Sequence, residues 1–248
     1  MSHRKKSFAF FVLFSLSIAY SHSMENKQLN YILVHGMTGG GWDWKLIDQL
    51  LTKDGFEVYR PTLTGLGERM HLSHPDIDLS THILDIVNLI KFEQLDNIVL
   101  VGHSYGGMVI TGVMNEVPEK IAYVFYLDAL VPDHDMSALD VAGRYINFTT
   151  KDGLVYPPWL DSKQDFPRDL PHPAKTLTEK VSFNNKAARK LPATYINFTP
   201  ETLIKRERSI NSSWQRAEKR GWVVKTLDSD HNAQRSNPEA LKKLLTTF

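Results

Sequence analysis

A serine set between glycines, Gly102-His103-Ser104-Tyr105-Gly106, separates two apolar runs and is the densest chemical signal in the chain. A serine hydroxyl is a poor nucleophile at neutral pH, so chemistry at Ser104 needs a general base and an acid that orients the base. The pattern G-x-S-x-G is the sequence form of a tight strand-to-helix turn that exposes its serine. Side chains at Gly102 and Gly106 would collide with the neighbouring strand and helix in such a turn. The flanks fit: Asn97–Val101 reads as a buried strand and Tyr105–Asn115 as a helix.

In the serine hydrolase arrangement built on this turn, the acid and then the histidine follow the serine along the chain. Of the 10 histidines, His231 has the right place, in Leu227-Asp-Ser-Asp230-His231-Asn232 just past the last strand-like run. His103 abuts the serine, and its side chain is expected to point away. Two residues compete for the acid. Asp128 ends the run Ala122–Leu127 inside an apolar stretch, where burying a carboxylate is costly unless it is paired. Glu201 follows the next strand in a polar stretch, where it could equally open a helix. Asp128 is the preferred reading and Glu201 the alternative. Asp228 and Asp230 are expected to shape the histidine loop.

The developing oxyanion needs two N–H donors. Tyr105, the residue after the nucleophile, supplies one. Met37 supplies the other, from the loop His35-Gly36-Met37-Thr38-Gly39-Gly40-Gly41 after the first strand. A glycine-rich loop after a strand also raises nucleotide binding, but neither G-x-G-x-x-G nor the P-loop lysine pattern is present. Asp76, Asp78 and His82 are close in sequence without a ligand pattern, so no metal and no cofactor are expected.

The elements that must position these residues alternate strand and helix, which predicts a parallel sheet. Strands are expected at Tyr31–Val34, Glu57–Arg60, Asn97–Val101, Ala122–Leu127, Thr194–Phe198 and Val223–Leu227. Helices are expected near Trp42–Lys53, Ser80–Phe92, Tyr105–Asn115, Thr202–Arg220 and Asn237–Thr247. The alternation breaks over about 133–191, where prolines cluster at 157, 158, 167, 171 and 173. A structureless loop of that length is unusual, so the segment reads as a cap of short helices over the catalytic edge. Tyr156, Trp159 and Phe166 are candidates for its apolar, substrate-facing lining. Trp42 and Trp44 are expected to pack the first helix.

Composition bounds the rest. A net charge of +1 gives no electrostatic case for nucleic acid, and the lack of cysteine excludes disulfides and a thiol nucleophile. Residues 1–23 read as a secretory signal peptide: a basic His3-Arg4-Lys5-Lys6, an apolar Ser7–Tyr20, and small residues before Met24. That predicts a periplasmic or secreted domain over 24–248 with no stable membrane anchor after cleavage. A protein whose translation starts at Met24 would be cytoplasmic instead.

With these motifs assembled, the chain resembles the α/β-hydrolase superfamily, in the compact group of plant methylesterases, hydroxynitrile lyases and bacterial esterases. The resemblance rests on HGMTGGGWDW (35–44), RPTLTGLGER (60–69), VLVGHSYGGMVITG (99–112), YLDALVP (126–132) and DSDHNAQRSNPEAL (228–241). It implies an α/β-hydrolase fold of about six mostly parallel strands flanked by helices, with a helical cap. It implies hydrolysis of a carboxylic ester or lactone, macrolide lactones included, through an acyl-enzyme. Bacterial members with a Tyr-Leu-Asp-Ala segment support Asp128, whereas plant members place the acid where this chain has Glu201. Hydroxynitrile lyases carry a lysine after the catalytic histidine. Asn232 stands there, which speaks against a carbon–carbon lyase. A slow-turnover ligand-binding protein would keep the same residues. Gly65-Leu-Gly67-Glu68-Arg69, also shared with the bacterial group, is expected to be a structural loop with an internal ion pair.

Overall fold

Alternate residues of each strand face two different apolar layers, and that periodicity organises the molecule. In the computed structural model, which describes residues 28–143 and 148–248, six strands form one sheet. They are β1 (Asn30–Val34), β2 (Glu57–Tyr59), β3 (Ile98–His103), β4 (Ile121–Leu127), β5 (Ala193–Phe198) and β6 (Val223–Leu227). Their order is β2-β1-β3-β4-β5-β6, and every pairing is parallel. Ile32, Leu100 and Val124 enter one buried cluster, and Tyr31, Leu33, Val101 and Phe125 enter the other. Each such side chain, fully buried, contributes about 1.5–3 kcal/mol.

Helices α1 (Lys45–Lys53), α2 (Leu79–Phe92) and α3 (Gly106–Glu116) follow the first three strands. Asp78 caps α2 by accepting from the Thr81 N–H. The long helix expected over 202–220 is instead two pieces, α4 (Ile204–Ile210) and α5 (Ser212–Lys219). Asn211 breaks it: the residue is extended and its side chain accepts from the Ser213 and Trp214 N–H groups, so it caps the second helix rather than continuing the first. Helix α6 (Pro238–Leu245) closes the chain against α1.

The segment after β4 leaves the sheet and returns at β5. It contains the expected short helices, Ala138–Ala142 and Lys175–Thr178, and two small antiparallel sheets that its sequence did not announce. Their strands are two or three residues long, too short for alternation to be read. The expected signal segment 1–23 lies outside the described residues. Among the described residues, no helix is long and apolar enough to cross a membrane.

Candidate active site

Strand order turns back between β1 and β3, and ligands in open parallel sheets sit at such a switch point, beyond the carboxyl ends of the strands. Register brings the chemistry there. His103 at the end of β3 pairs with Leu127 at the end of β4, so Ser104 and Asp128 are the next residues on adjacent strands. The ladder runs one step further, with the Ser104 N–H donating to the Leu127 carbonyl at 3.2 Å. Phe198 pairs with Leu227, which starts the loop carrying His231.

Ser104 has φ +53°, the left-handed conformation that a turn exposing its side chain demands. The elbow glycines are needed sterically. A Cβ on Gly106 would lie 2.8 Å from the carbonyl oxygens of both Val34 and His35, and one on Gly102 would lie 2.9 Å from the Gly106 carbonyl oxygen. Asp128 and Thr38 also sit in the left-handed region, at φ +42° and +70°. Strain of about 1–3 kcal/mol per residue of this kind persists only where surrounding contacts impose it.

His231 Nδ1 lies 2.5 Å from Asp128 Oδ2. A carboxylate can only accept, so Nδ1 carries the proton and Nε2 keeps its lone pair. Asp128 is further held by the Asn197 amide, 3.2 Å from Oδ1, and by its own N–H to the Ile196 carbonyl at 2.7 Å. Partial burial pulls the His231 pKa down, but the hydrogen bond and charge of Asp128 outweigh it and leave the pKa above the ordinary 6.5. Glu201 is exposed in the single 3-10 turn Glu201–Leu203, so among the described residues the carboxylate that meets the His231 ring is Asp128 and not Glu201. Asp230 shapes the histidine loop as expected, accepting from the Asn232 N–H and the Ser236 hydroxyl at 2.8 Å each.

His103 departs from its expected place. Its buried ring lines the site and its Nε2–H donates to the His231 carbonyl at 2.7 Å, tying the histidine loop to the elbow. Burial and the adjacent His231 hold it well below 6.5, so it stays neutral and this donor is fixed. Asn197 also went unnoticed, although a polar side chain in the otherwise apolar end of β5 is a readable signal.

The loop after β1 passes directly over the serine: a Cβ on Gly36 would sit 3.0 Å from the Ser104 Cβ. His35 stiffens the loop, with Nδ1–H to the Gly36 carbonyl at 2.8 Å and Nε2 accepting from the Leu63 N–H at 3.0 Å. Burial lowers its pKa to about 4 and preserves that tautomer. Neither the Met37 nor the Tyr105 N–H donates to a protein acceptor among the described residues.

Ser104, His231 and Met37 share a cavity of about 520 Å³. The cap supplies Trp159, Gln164 and Asp169 to its wall, and the core supplies Asp43, Asn232 and Arg235. This wall is more polar than the aromatic lining expected. Burial pushes the Asp43 carboxyl up to about 6; Arg235 at 3.5 Å opposes that and Asp169 adds to it. Of the three cap candidates, only Trp159 lines this cavity. Phe166 lines a neighbouring apolar one of about 450 Å³ with Trp42, Met70 and Leu170, and Tyr156 lines neither. Trp44 is buried under α1 as expected, whereas Trp42 faces this second cavity.

The motif Gly65-Leu-Gly67-Glu68-Arg69 is structural, but its ion pair is not internal. Arg69 reaches Asp85 on α2 at 3.1 Å, and Glu68 accepts from the Thr62 hydroxyl at 2.9 Å. Asp76 pairs with Lys175 and Asp78 caps α2, which accounts for two members of the Asp/His cluster. Among the described residues, no group of three or more His, Asp or Glu side chains is placed to hold a metal ion.

Residues 31–244 match the alpha/beta hydrolase family. The chain belongs to that family. Among curated proteins it is 49% identical over 110 residues to a carbendazim hydrolyzing esterase of Nocardioides sp. (strain SG-4G), covering 44% of this chain and 46% of that one. It is 28% identical over 151 residues to methylesterase 10 of Arabidopsis thaliana, covering 56% and 55%. The matched stretches thus span about half the length of these curated relatives. Solved structures share the fold. An extracellular alpha/beta-hydrolase from a Paenibacillus species superposes with TM-score 0.69 at 20% identity, over 88% of this chain and 97% of that one. A methylesterase from Arabidopsis gives 0.68 at 22% identity, over 88% and 97%.

Proposed function

We propose that this alpha/beta hydrolase cleaves carboxylic esters through a serine acyl-enzyme. The observation that carries the reading is the 2.5 Å contact between His231 Nδ1 and Asp128 Oδ2, with Ser104 on the wall of the same cavity. His231 Nε2 removes the Ser104 proton as Oγ attacks the ester carbonyl, and Asp128 holds the resulting imidazolium. The N–H groups of Met37 and Tyr105 receive the oxyanion, and each such donor is worth about 2.7–4 kcal/mol of transition-state stabilisation. The tetrahedral adduct collapses as the imidazolium protonates the leaving alcohol. Water, activated by the same histidine, then attacks the acyl-enzyme and regenerates Ser104.

The names of the relatives support an ester substrate and put carbendazim on the panel to be tried. The cavity wall mixes Met37 and Trp159 with Gln164, Asp169 and Asn232, which favours a small ester carrying hydrogen-bonding substituents, and a macrolide lactone marks the large end of the panel. The basic-then-apolar start of the chain supports export of this activity to the periplasm or beyond.

The test is steady-state hydrolysis of a short-chain p-nitrophenyl ester, with Ser104→Ala as partner. Replacing the nucleophile is expected to remove on the order of 10⁶ from kcat. Turnover that survives in Ser104→Ala refutes the mechanism. Absence of both turnover and fluorophosphonate labelling at Ser104 refutes the reading altogether.

A further inference from the structure

Thr38, next to the Met37 oxyanion donor, is a β-branched residue at φ +70°, a conformation such residues rarely adopt. Something must impose it, and every polar group of Thr38 is held by the cap. Its N–H donates to His172 Nδ1 at 3.4 Å, and its carbonyl accepts from the Leu170 N–H at 2.9 Å. Its hydroxyl faces two acceptors, the Met37 carbonyl at 2.5 Å within the loop and Asp169 Oδ1 of the cap at 2.9 Å, and it accepts from Trp159 Nε1–H at 3.2 Å. Four cap residues therefore converge on one residue of the loop over the serine.

His172 also reaches the second donor. It is fully buried, and its ring meets the Tyr105 ring edge-on, with centroids 4.9 Å apart at 74°. Tyr105 is fixed from beyond as well: its hydroxyl donates to His82 Nδ1 at 3.0 Å, and His82 Nε2–H donates to the Thr64 carbonyl at 3.0 Å. Accepting through Nδ1 leaves the His172 proton on Nε2, which has no hydrogen-bond partner among the described residues. Among the described residues, the hydrogen bond made by the His172 side chain is the one to the loop.

We propose that His172 is a positioning residue that couples cap docking to assembly of the oxyanion hole. With the cap seated, His172 holds Thr38, and through it Met37, while its ring backs Tyr105. With the cap displaced, Ser104, His231 and Asp128 remain at their strand ends, but the loop bearing the first donor loses the contacts that keep Thr38 left-handed. Docking of the cap thereby becomes a condition for turnover as well as a filter for substrate. The inference rests on the serine reading above.

The experiment compares His172→Phe, which keeps a flat ring but removes the acceptor, with His172→Asn, whose amide oxygen can stand where Nδ1 does. Both are made in the full chain, with thermal melting as a control. Partial misplacement of an oxyanion donor predicts a kcat loss of about tenfold to a hundredfold in His172→Phe, with KM within about twofold. His172→Asn should recover to within about threefold of the original, because it restores the acceptor. Affinity for a boronic acid that forms a tetrahedral adduct on Ser104 should fall with kcat. An unchanged kcat in His172→Phe, a loss confined to KM, or a His172→Asn variant as damaged as His172→Phe overturns the proposal. Should His172→Phe fail to fold, Asp169→Ala and Trp159→Phe cut the same tether at partly exposed cap positions, and an unaltered kcat in both overturns it equally. Failure of the underlying reading is distinct: the unsubstituted protein would then show neither Ser104-dependent turnover nor fluorophosphonate labelling.

Discussion

The strand ends and the cap build one cavity by different physics. Ser104, Asp128 and the His231 loop extend strands whose pairing is fixed by rows of buried side chains, so their relative positions are set by register. The cap is made of strands of two or three residues and helices of four or five. Its own halves differ. His172, Thr176, Leu177, Val181 and Phe183 are buried, whereas Trp159 and Phe166 are 49% and 64% exposed. Several of the contacts tying the cap to the core are exposed and polar, such as Ser80 to Glu179 and Lys175 to Asp76, where solvent screens the interaction. On the proposed mechanism, the reacting groups are thus mounted on the strand ends and the substrate-facing wall on the part that tolerates change.

The largest effect that would break this comparison concerns the acid. If strand register fixes the machinery, Asp128→Asn should lower kcat by about 10⁴, because the amide no longer enforces the histidine tautomer. Glu201→Gln should leave it within about twofold, since Glu201 is exposed and does not meet His231. Equal losses in the two variants would mean that the acid is shared. The pH profile sharpens the point. The base works only when deprotonated, and Asp128 raises its pKa, so the acidic limb of kcat/KM in the unsubstituted protein should lie above 6.5. In Asp128→Asn burial becomes the leading effect, with Asp230 and Arg235 acting in opposite senses, and the residual limb should move to lower pH.

A smaller effect probes the elbow. The Cβ of Gly106→Ala would face two backbone carbonyl oxygens at 2.8 Å, and neither can rotate away. Overpacking of this kind costs about 1–3 kcal/mol, which for a chain of this size lowers Tm by roughly 2–4 °C per kcal/mol. Because β1 must shift to admit the methyl group, Tm and the rate of fluorophosphonate labelling at Ser104 should fall together. A loss of Tm alone would show that the elbow relaxes without moving the serine.

Legibility in the sequence follows the same division. The alternation of strand-like and helix-like runs anticipates six strands, and the apolar setting of Asp128 favours it over Glu201 as the partner of His231, which it meets at 2.5 Å. The break at Asn211 was invisible in the periodicity of 202–220 because one side-chain cap outweighs a pattern, although Asn is a residue that should prompt the question. The two small sheets of the cap are not legible beside its short helices, since strands of two or three residues leave no periodic trace. His103 and His172 were the hardest to read. A lone buried histidine looks the same in sequence whether it braces a loop or packs in a core; only the partners at His231 and Thr38 separate the two.

The smallest effect tests whether the second cavity belongs to the reaction. Phe166 is 64% exposed, so Phe166→Ala should change stability by no more than about 0.5 kcal/mol. It should also leave kcat/KM for an acetyl ester within about twofold, because Phe166 does not line the cavity of Ser104. If longer acyl chains run into the apolar cavity that Phe166 shares with Trp42, Met70 and Leu170, each buried methylene contributes about 0.8 kcal/mol, or roughly fourfold in kcat/KM. The slope of log kcat/KM against acyl length should then flatten in Phe166→Ala while its intercept holds. Parallel slopes would place the acyl chain elsewhere and leave this cavity to the leaving group or to no ligand at all. A lowered intercept with the slope preserved would mean that an exposed cap residue supports the catalytic geometry, and the division between rigid chemistry and adaptable selectivity would fail at that point.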